Sequence, residues 1–103
     1  NHRTLVKRGE EFIQKREDCS CVESSTEYNP DLCLEDTSLC ESGEFKEVWF
    51  EAEVSTIRRP SNIINKITQA AESNAKIVFL VNAVEDKRID YFAKRIDNII
   101  GPP

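Results

Sequence analysis

Apolar residues recur in two stretches of the chain at the spacing of one helical face. In the first stretch they stand at i, i+1, i+4, i+7 and i+8, at Leu5, Val6, Gly9, Phe12 and Ile13. Thr4 is a suitable cap for this helix, because its hydroxyl can accept a hydrogen bond from a free backbone N–H. The same five-point face returns at residues 63–71, after Pro60-Ser61, and ends before Asn74. Both patterns predict amphipathic helices.

The clearest strand pattern covers residues 47–56. Its apolar positions alternate without a break, at Val48, Phe50, Ala52 and Val54. Successive side chains of a strand point to opposite faces, so Trp49, Glu51 and Glu53 share the other face. The sequence therefore predicts a strand with one apolar face and one face that carries two carboxylates.

Further stretches complete the predicted sheet. Short strands are expected at residues 19–22 and from Asp31 to residue 35. Residues 76–81 are apolar almost throughout, which is typical of a strand covered on both faces. A last helix is predicted at residues 86–100. The order α-β-β-β-α-β-α predicts one α/β domain over residues 1–103, with a central mixed sheet flanked by helices.

The composition excludes several classes of protein. The chain has 103 residues, enough for one hydrophobic core. It contains no apolar run of the roughly 18 to 20 residues that a membrane helix needs. Residues 1–13 carry charge throughout, unlike a signal peptide, and we expect a cytoplasmic protein. The glycines are too far apart for a phosphate-binding loop. Because Met is absent and the chain opens on Asn1, it is open whether the chain is part of a longer protein.

The balance of charge limits how the chain could meet nucleic acid. It has 14 Lys+Arg against 19 Asp+Glu, for a net charge of -5 at pH 7. Binding through bulk electrostatics requires clustered basic residues, so this mode is disfavoured. An enzyme that meets phosphate through a metal ion is still compatible with the sequence.

Three acidic residues fall on neighbouring predicted strands. Asp31 opens one strand, and Glu51 and Glu53 stand two apart on the next. Adjacent strands can bring these carboxylates together, where like charges resist ionisation unless a cation lies between them. Carboxylate oxygens are ligands that suit Mg²⁺ or Mn²⁺. The chemistry that this arrangement predicts is metal-assisted hydrolysis of phosphodiester bonds.

The residues Pro30-Asp31 and Glu51-Ala52-Glu53 resemble the motif of the PD-(D/E)XK, or restriction-endonuclease-like, nuclease superfamily. The order of elements is similar over nearly the whole chain. The resemblance implies a restriction-endonuclease-like fold and cleavage of DNA with Mg²⁺ or Mn²⁺. It implies that Asp31 and Glu51 bind the metal and that Glu53 orients or activates the attacking water. It also makes a small archaeal or mobile-element protein the expected context.

Glu53 departs from the superfamily pattern, which asks for Lys at this position. A glutamate can accept a proton from water but cannot supply positive charge. We expect that charge to come from Lys66 on the second helix, or from Arg58 or Arg59. The resemblance also implies an acidic residue in the first helix. Glu10 is preferred over Glu11, because it lies about 90° from the middle of the apolar face and Glu11 lies nearly opposite that face.

The acidity of the chain bears on its expected partners. DNA binding by the domain alone should be weak, so a homodimer or a flanking DNA-binding domain is expected to supply affinity. The main alternative is a non-catalytic scaffold or interaction module that keeps the fold. In the simplest such case Glu51 and Glu53 form the solvated face of an edge strand, paired with Lys or Arg on a neighbour.

Four cysteines stand at the spacing C-x-C-x11-C-x6-C, at Cys19, Cys21, Cys33 and Cys40. The spacing lacks the C-x2-C pairs of common zinc sites, although a cysteine-bound zinc module is an alternative. We expect disulfides that join Cys19 and Cys21 to Cys33 or Cys40, a feature that intracellular proteins of hyperthermophiles share. Free thiols are the expectation for a cytosolic mesophile. A catalytic thiol is disfavoured, because the single histidine, His2, lies at the terminus.

The sequence allows two roles for the aromatic residues Trp49 and Tyr28. Trp49 and Tyr28 could stack on a nucleic-acid base, but a buried tryptophan in a small core is the commoner arrangement.

Overall fold

Three strands and two helices form an α/β arrangement in the computed structural model, which describes residues 1–16, 18–41, 43–53 and 60–81. The elements, in chain order, are α1 (His2–Gln14), β1 (Leu32–Glu35), β2 (Glu47–Ala52), α2 (Pro60–Glu72) and β3 (Ala75–Leu80). The predicted helix at residues 86–100 lies outside the described residues, as do Val54, Arg58 and Arg59. Neither described helix is long and apolar enough to cross a membrane.

The strand β2 lies at the centre of a mixed sheet with the order β1-β2-β3. β1 runs antiparallel to β2, with Leu32 opposite Phe50 and Glu35 opposite Glu47. β3 runs parallel to β2. Parallel strands need a crossover connection, and α2 lies in the chain between them. The mixed sheet and the crossover helix agree with the prediction.

The two faces of the sheet hold different cores. One core contains Ile13 of α1 together with Leu32, Leu34, Val48 and Phe50 of the strands. Its helix approaches the sheet closely at Gly9, where an added Cβ would stand 2.7 Å from a methyl carbon of Leu80. The other core contains Trp49, Cys33, Ala70 of α2 and Ala75. The alternation along β2 therefore separates an α1 side from an α2 side, as the sequence predicts.

Residues 19–22 are not a strand, and this part of the prediction is wrong. Val22 donates one backbone hydrogen bond to Cys33, at 2.9 Å, and no ladder follows. Val22 is 38% exposed, and Cys19 is the residue of this segment that packs in the core. The hydroxyls of Ser24 and Ser25 then turn toward Glu47 on β2. Side-chain hydrogen bonds replace strand pairing here.

Two smaller differences concern the ends of elements. The cap of α1 is Asn1, whose side chain accepts the N–H of Thr4 at 2.9 Å, so Thr4 lies inside the helix. β3 begins one residue earlier than predicted, at Ala75, directly after Asn74 with its left-handed φ of 52°. Only Ala75 is buried in β3, and its other residues are half-buried.

The sheet also decides which cysteines pair. Cys19 and Cys40 belong to the core on the α1 side and form a disulfide with a Cα–Cα distance of 5.5 Å. Cys33 lies on the α2 side and is a free thiol, as is the exposed Cys21. One of the expected disulfides is therefore present and the second is not. Because two of the four sulfurs are paired, the cysteines do not form a four-thiolate zinc site.

Candidate functional site

The face of β2 on the α2 side carries a row of buried carboxylates. Glu47, Glu51 and Glu53 are 5%, 3% and 4% exposed. Glu53 follows directly after β2 and is held to β3 by its backbone N–H, which donates to Leu80 at 2.9 Å. Burial of a carboxylate is costly unless hydrogen bonds or opposite charges compensate it. The partners of each residue therefore show what it can do.

Glu47 has a full set of hydrogen-bond donors. Its carboxylate accepts the Ser24 hydroxyl at 2.7 Å and both the N–H and the hydroxyl of Ser25 at 2.8 Å. The indole N–H of Trp49 also donates to it, at 2.8 Å. Burial alone would raise the pKa of Glu47, but these hydrogen bonds outweigh burial and lower the pKa to about 2. Glu47 is therefore ionised at neutral pH and acts as a structural anchor that holds residues 24 and 25 to β2.

Glu51, which has the acidic neighbour Asp31, differs from Glu47 in that its pKa is raised. One oxygen of Asp31 accepts the backbone N–H of Ala52 at 2.8 Å, which holds the Asp31 carboxyl at the end of β2. Burial first of all, together with the hydrogen bond and the charge of Asp31, raises the pKa of Glu51 to about 7, against the lowering effects of the Tyr28 hydroxyl and the Lys66 charge. The neighbouring Asp31 carboxyl therefore disfavours ionisation of Glu51.

Lys66 of α2 brings positive charge to the same place. Its Nζ lies 2.5 Å from Glu53 Oε1 and 3.9 Å from Glu51 Oε2. The second oxygen of Glu53 is buried and has no hydrogen-bond partner among the described residues. We call Asp31, Glu51 and Glu53 the carboxylate cluster. The structure thus brings Lys66 to Glu51 and Glu53, and its role as the source of catalytic charge stays a prediction.

Tyr28 forms one wall of the cluster. Its hydroxyl donates to Glu51 Oε1. Its ring stacks on Trp49, with ring centroids 4.6 Å apart and planes inclined by 24°. Trp49 itself is fully buried, which agrees with its reading as a core residue. Burial, and then the hydrogen bond with Glu51, raise the pKa of Tyr28, so its hydroxyl keeps its proton and acts as a donor.

The first helix contributes a residue that the sequence did not single out. His2 Nε2 lies 3.0 Å from Asp31 Oδ2, whereas Glu10 accepts a hydrogen bond from Gln14 at 3.4 Å and is exposed. Glu10 is eight residues beyond His2, or about 12 Å along the helix axis at 1.5 Å per residue. Its charge acts instead on Cys21, whose pKa is raised by burial and then by Glu10. The structure therefore does not bring Glu10 to the cluster.

The cluster offers oxygen atoms but is not a preformed metal cage. In residues 1–16, 18–41, 43–53 and 60–81, no group of three or more His, Cys, Asp or Glu side chains has the arrangement of a metal site. Lys66 contacts Glu53, and the pKa of Glu51 is raised by burial and by Asp31. The donor set still fits a hard cation, because it consists of carboxylates, one of which has a buried oxygen without a partner among the described residues. A divalent ion would compete with the proton of Glu51.

Sequence gives no local sign of several of these partners. Ser24 and Ser25 are more than 20 residues from Glu47 in sequence, and His2 is 29 residues from Asp31, so only the tertiary structure brings them together. The alternation of β2 does give a signal for Glu47, since it lies on the same face of the strand as Trp49 and Glu51.

Comparison with protein-family models, curated proteins and solved structures finds no match for this chain. The chemistry of the carboxylate cluster is therefore the basis for inferring function.

Proposed function

We propose that the chain is a metal-dependent nuclease that hydrolyses phosphodiester bonds in DNA, on a restriction-endonuclease-like α/β fold. The observation that carries this proposal is the pair of the half-buried Asp31 and the buried Glu51, in which the pKa of Glu51 is raised to about 7. Two interacting carboxyls are costly to ionise together unless a cation compensates their charge. Strongly perturbed groups of this kind concentrate at functional sites.

Asp31 and Glu51 would hold Mg²⁺ or Mn²⁺, as the resemblance to the superfamily implies. When bound, such an ion polarises a phosphoryl oxygen and lowers the pKa of a coordinated water. Glu51 has to lose its proton for this role. With a pKa of about 7 in the ion-free protein, the ion and the proton compete, so occupancy should rise with pH up to this value.

The remaining residues have separate tasks. One oxygen of Glu53 has no partner among the residues that the structure describes and can accept a proton from water, and Lys66 contacts its other oxygen at 2.5 Å. The Lys66 ammonium also places positive charge where negative charge would develop on the phosphate. Tyr28 fixes the orientation of Glu51 through its hydroxyl. Lys66 thus provides from α2 the charge that the superfamily pattern would place at position 53.

A net charge of -5 bears on the partners of this activity. We propose that the domain binds DNA weakly alone, and that a homodimer or a flanking DNA-binding domain supplies affinity. The metal ion and Lys66 would bind the DNA phosphate at the carboxylate cluster.

A non-catalytic scaffold is the second candidate, and one observation favours it. Lys66 pairs with Glu53 and Tyr28 donates to Glu51, so the buried acids already have partners without an ion. In that case the cluster would be a structural network that joins α2 to the sheet. The two candidates differ in whether a divalent ion binds Asp31 and Glu51.

Cleavage of supercoiled plasmid DNA with Mn²⁺ tests the proposal. The wild-type protein should cleave with Mn²⁺ and not with EDTA, and Asp31→Asn and Glu51→Gln should each lower the rate by about 100-fold or more. Glu10→Gln is the matched control, because it removes an exposed carboxylate outside the cluster, and it should leave the rate unchanged. Equal cleavage by all variants would identify a contaminating nuclease. No cleavage by the wild type, together with no Mn²⁺ binding in calorimetry, would favour the scaffold.

A further inference from the structure

A pocket with a volume of about 540 Å³ adjoins the carboxylate cluster. Its lining residues are Tyr28, Asn62, Asn65, Lys66 and Gln69. Two of them also belong to the surroundings of the cluster, since Tyr28 donates to Glu51 and Lys66 contacts Glu53. The pocket and the cluster therefore share a wall, and a ligand in the pocket would lie next to the carboxylates.

One face of α2 supplies the polar side of this pocket. Asn62, Asn65 and Gln69 are spaced by three and four residues, which places them on one side of a helix. All three residues are exposed. Each amide offers both a carbonyl acceptor and an NH₂ donor. The pocket thus presents paired donors and acceptors, and Lys66 is the charged residue among its described lining residues.

This chemistry suits a nucleobase better than a phosphate. Base edges carry donors and acceptors that Asn and Gln match with both of their amide atoms, whereas phosphates are bound mainly by cations. The volume is typical of small-ligand sites and large enough for one nucleoside, but a base pair with its two sugars is much larger. The Tyr28 ring adds an aromatic wall. Contacts to a base also explain how a chain with a net charge of -5 could engage a polyanion.

We propose that this pocket is a nucleoside subsite, which receives one unpaired base and its sugar next to the phosphate that lies at the carboxylate cluster. This inference rests on the proposed nuclease function and narrows its substrate to nucleic acid with a single-stranded nucleotide at the cleavage point. Lys66 links the two sites, because it lines the pocket and contacts Glu53 at 2.5 Å.

NMR of ¹⁵N-labelled protein with Ca²⁺ tests this subsite without any need for cleavage. The probes are the trideoxynucleotide dA-dA-dA, its ribonucleotide counterpart, and a trideoxynucleotide with the same phosphates and an abasic central position. The side-chain NH₂ signals of Asn62, Asn65 and Gln69 should shift with at least one of the two intact probes. The abasic probe should bind about tenfold more weakly, since it lacks the hydrogen bonds of the base.

A matched pair of variants locates the contact. Gln69→Ala should weaken binding of the intact probe about fivefold, the effect of one hydrogen bond near 1 kcal/mol. Gln14→Ala removes an exposed glutamine of α1 and should leave the affinity unchanged. Unmoved amide signals with both intact probes, or equal affinity for the abasic probe, would overturn the subsite even if plasmid cleavage succeeds. A subsite that binds with base dependence, in a protein that fails to cleave with Mn²⁺, would refute only the nuclease.

Discussion

The two ends of β2 hold glutamates that share a strand and a face but behave in opposite ways. Glu47 and Glu51 are 5% and 3% exposed. The pKa of Glu47 is lowered to about 2, and that of Glu51 is raised to about 7. Glu47 receives hydrogen bonds from Ser24, Ser25 and Trp49, whereas Glu51 has an acidic neighbour. Burial alone therefore does not determine the charge of either residue.

This difference distinguishes a glutamate with a structural role from a glutamate that could bind a ligand. The carboxylate of Glu47 is satisfied by donors of the chain itself, so it gains little from any ligand. Glu51 binds a proton more readily than a free glutamate does, and together with Asp31 it would gain from a cation in place of that proton. The same side chain on the same strand is therefore an anchor at one end and a candidate metal ligand at the other.

The largest effect on stability is expected for Glu47→Gln. A shift of the Glu47 pKa from 4.5 to about 2 means that its ionised form stabilises the fold above pH 4.5. By linkage this stabilisation is about 3 kcal/mol at neutral pH and is lost as pH falls from 4.5 toward 2. Urea unfolding at pH 7 should show most of this loss in the variant. Glu35→Gln on the neighbouring strand changes an exposed carboxylate, so a loss as large in that control would contradict the anchor role.

The disulfide should have a comparable effect, at the Glu47 end of the molecule. Cys19 and Cys40 tie down the segment that carries Ser24 and Ser25 over a sequence separation of 21. Cys40→Ser should lower the free energy of unfolding by about 3 kcal/mol. Thiol counting in denaturant should find two reactive thiols per chain before reduction and four after it. Four thiols before reduction would show that the disulfide is absent.

The pH dependence at the Glu51 end should have the opposite sign. Because its pKa is raised from 4.5 to about 7, Glu51 binds a proton in the folded state that the unfolded state releases. Stability from this residue is full below pH 4.5 and declines as pH rises to about 7, by about 3 kcal/mol. In Glu51→Gln this decline should disappear in urea unfolding without metal. An unchanged decline would assign it to another group.

The smallest effect is expected for His2→Ala. The side chain of His2 is 57% exposed, so its contact with Asp31 is screened by water. Its removal should change the free energy of unfolding by less than about 0.5 kcal/mol. Thermal unfolding at pH 6 and pH 8 checks this directly, and a change of several kcal/mol at either pH would show that the contact between His2 and Asp31 is not screened by water.

Periodicity predicts well the features that depend on neighbours in sequence. Alternation places Trp49, Glu51 and Glu53 on one face of β2, and the helical face of α2 sets the position of Lys66 near the edge of that face. The position of Asp31 beside β2 is predicted by the short strand that begins directly after it. These residues come together because adjacent strands and a crossover helix have few ways to pack.

Periodicity does not predict the contacts between residues that are distant in sequence, because these depend on tertiary structure. Residues 19–22 have strand-forming side chains, but a disulfide and the bonds from Ser24 and Ser25 to Glu47 determine the path of this segment. His2 meets Asp31 only because α1 packs across the sheet. A helical wheel favours Glu10, but it gives only an angle around the helix and no position along the sheet.

Carbon-13 NMR titration of the Glu51 carboxyl, with and without Mg²⁺, tests the central claim most directly. The signal is assigned by its loss in Glu51→Gln. The pKa of Glu51 should be about 7 without the ion and should fall by about one unit or more with it, because a bound cation favours the ionised form. A pKa near 4.5 that Mg²⁺ leaves unchanged would contradict a cation site at Asp31 and Glu51.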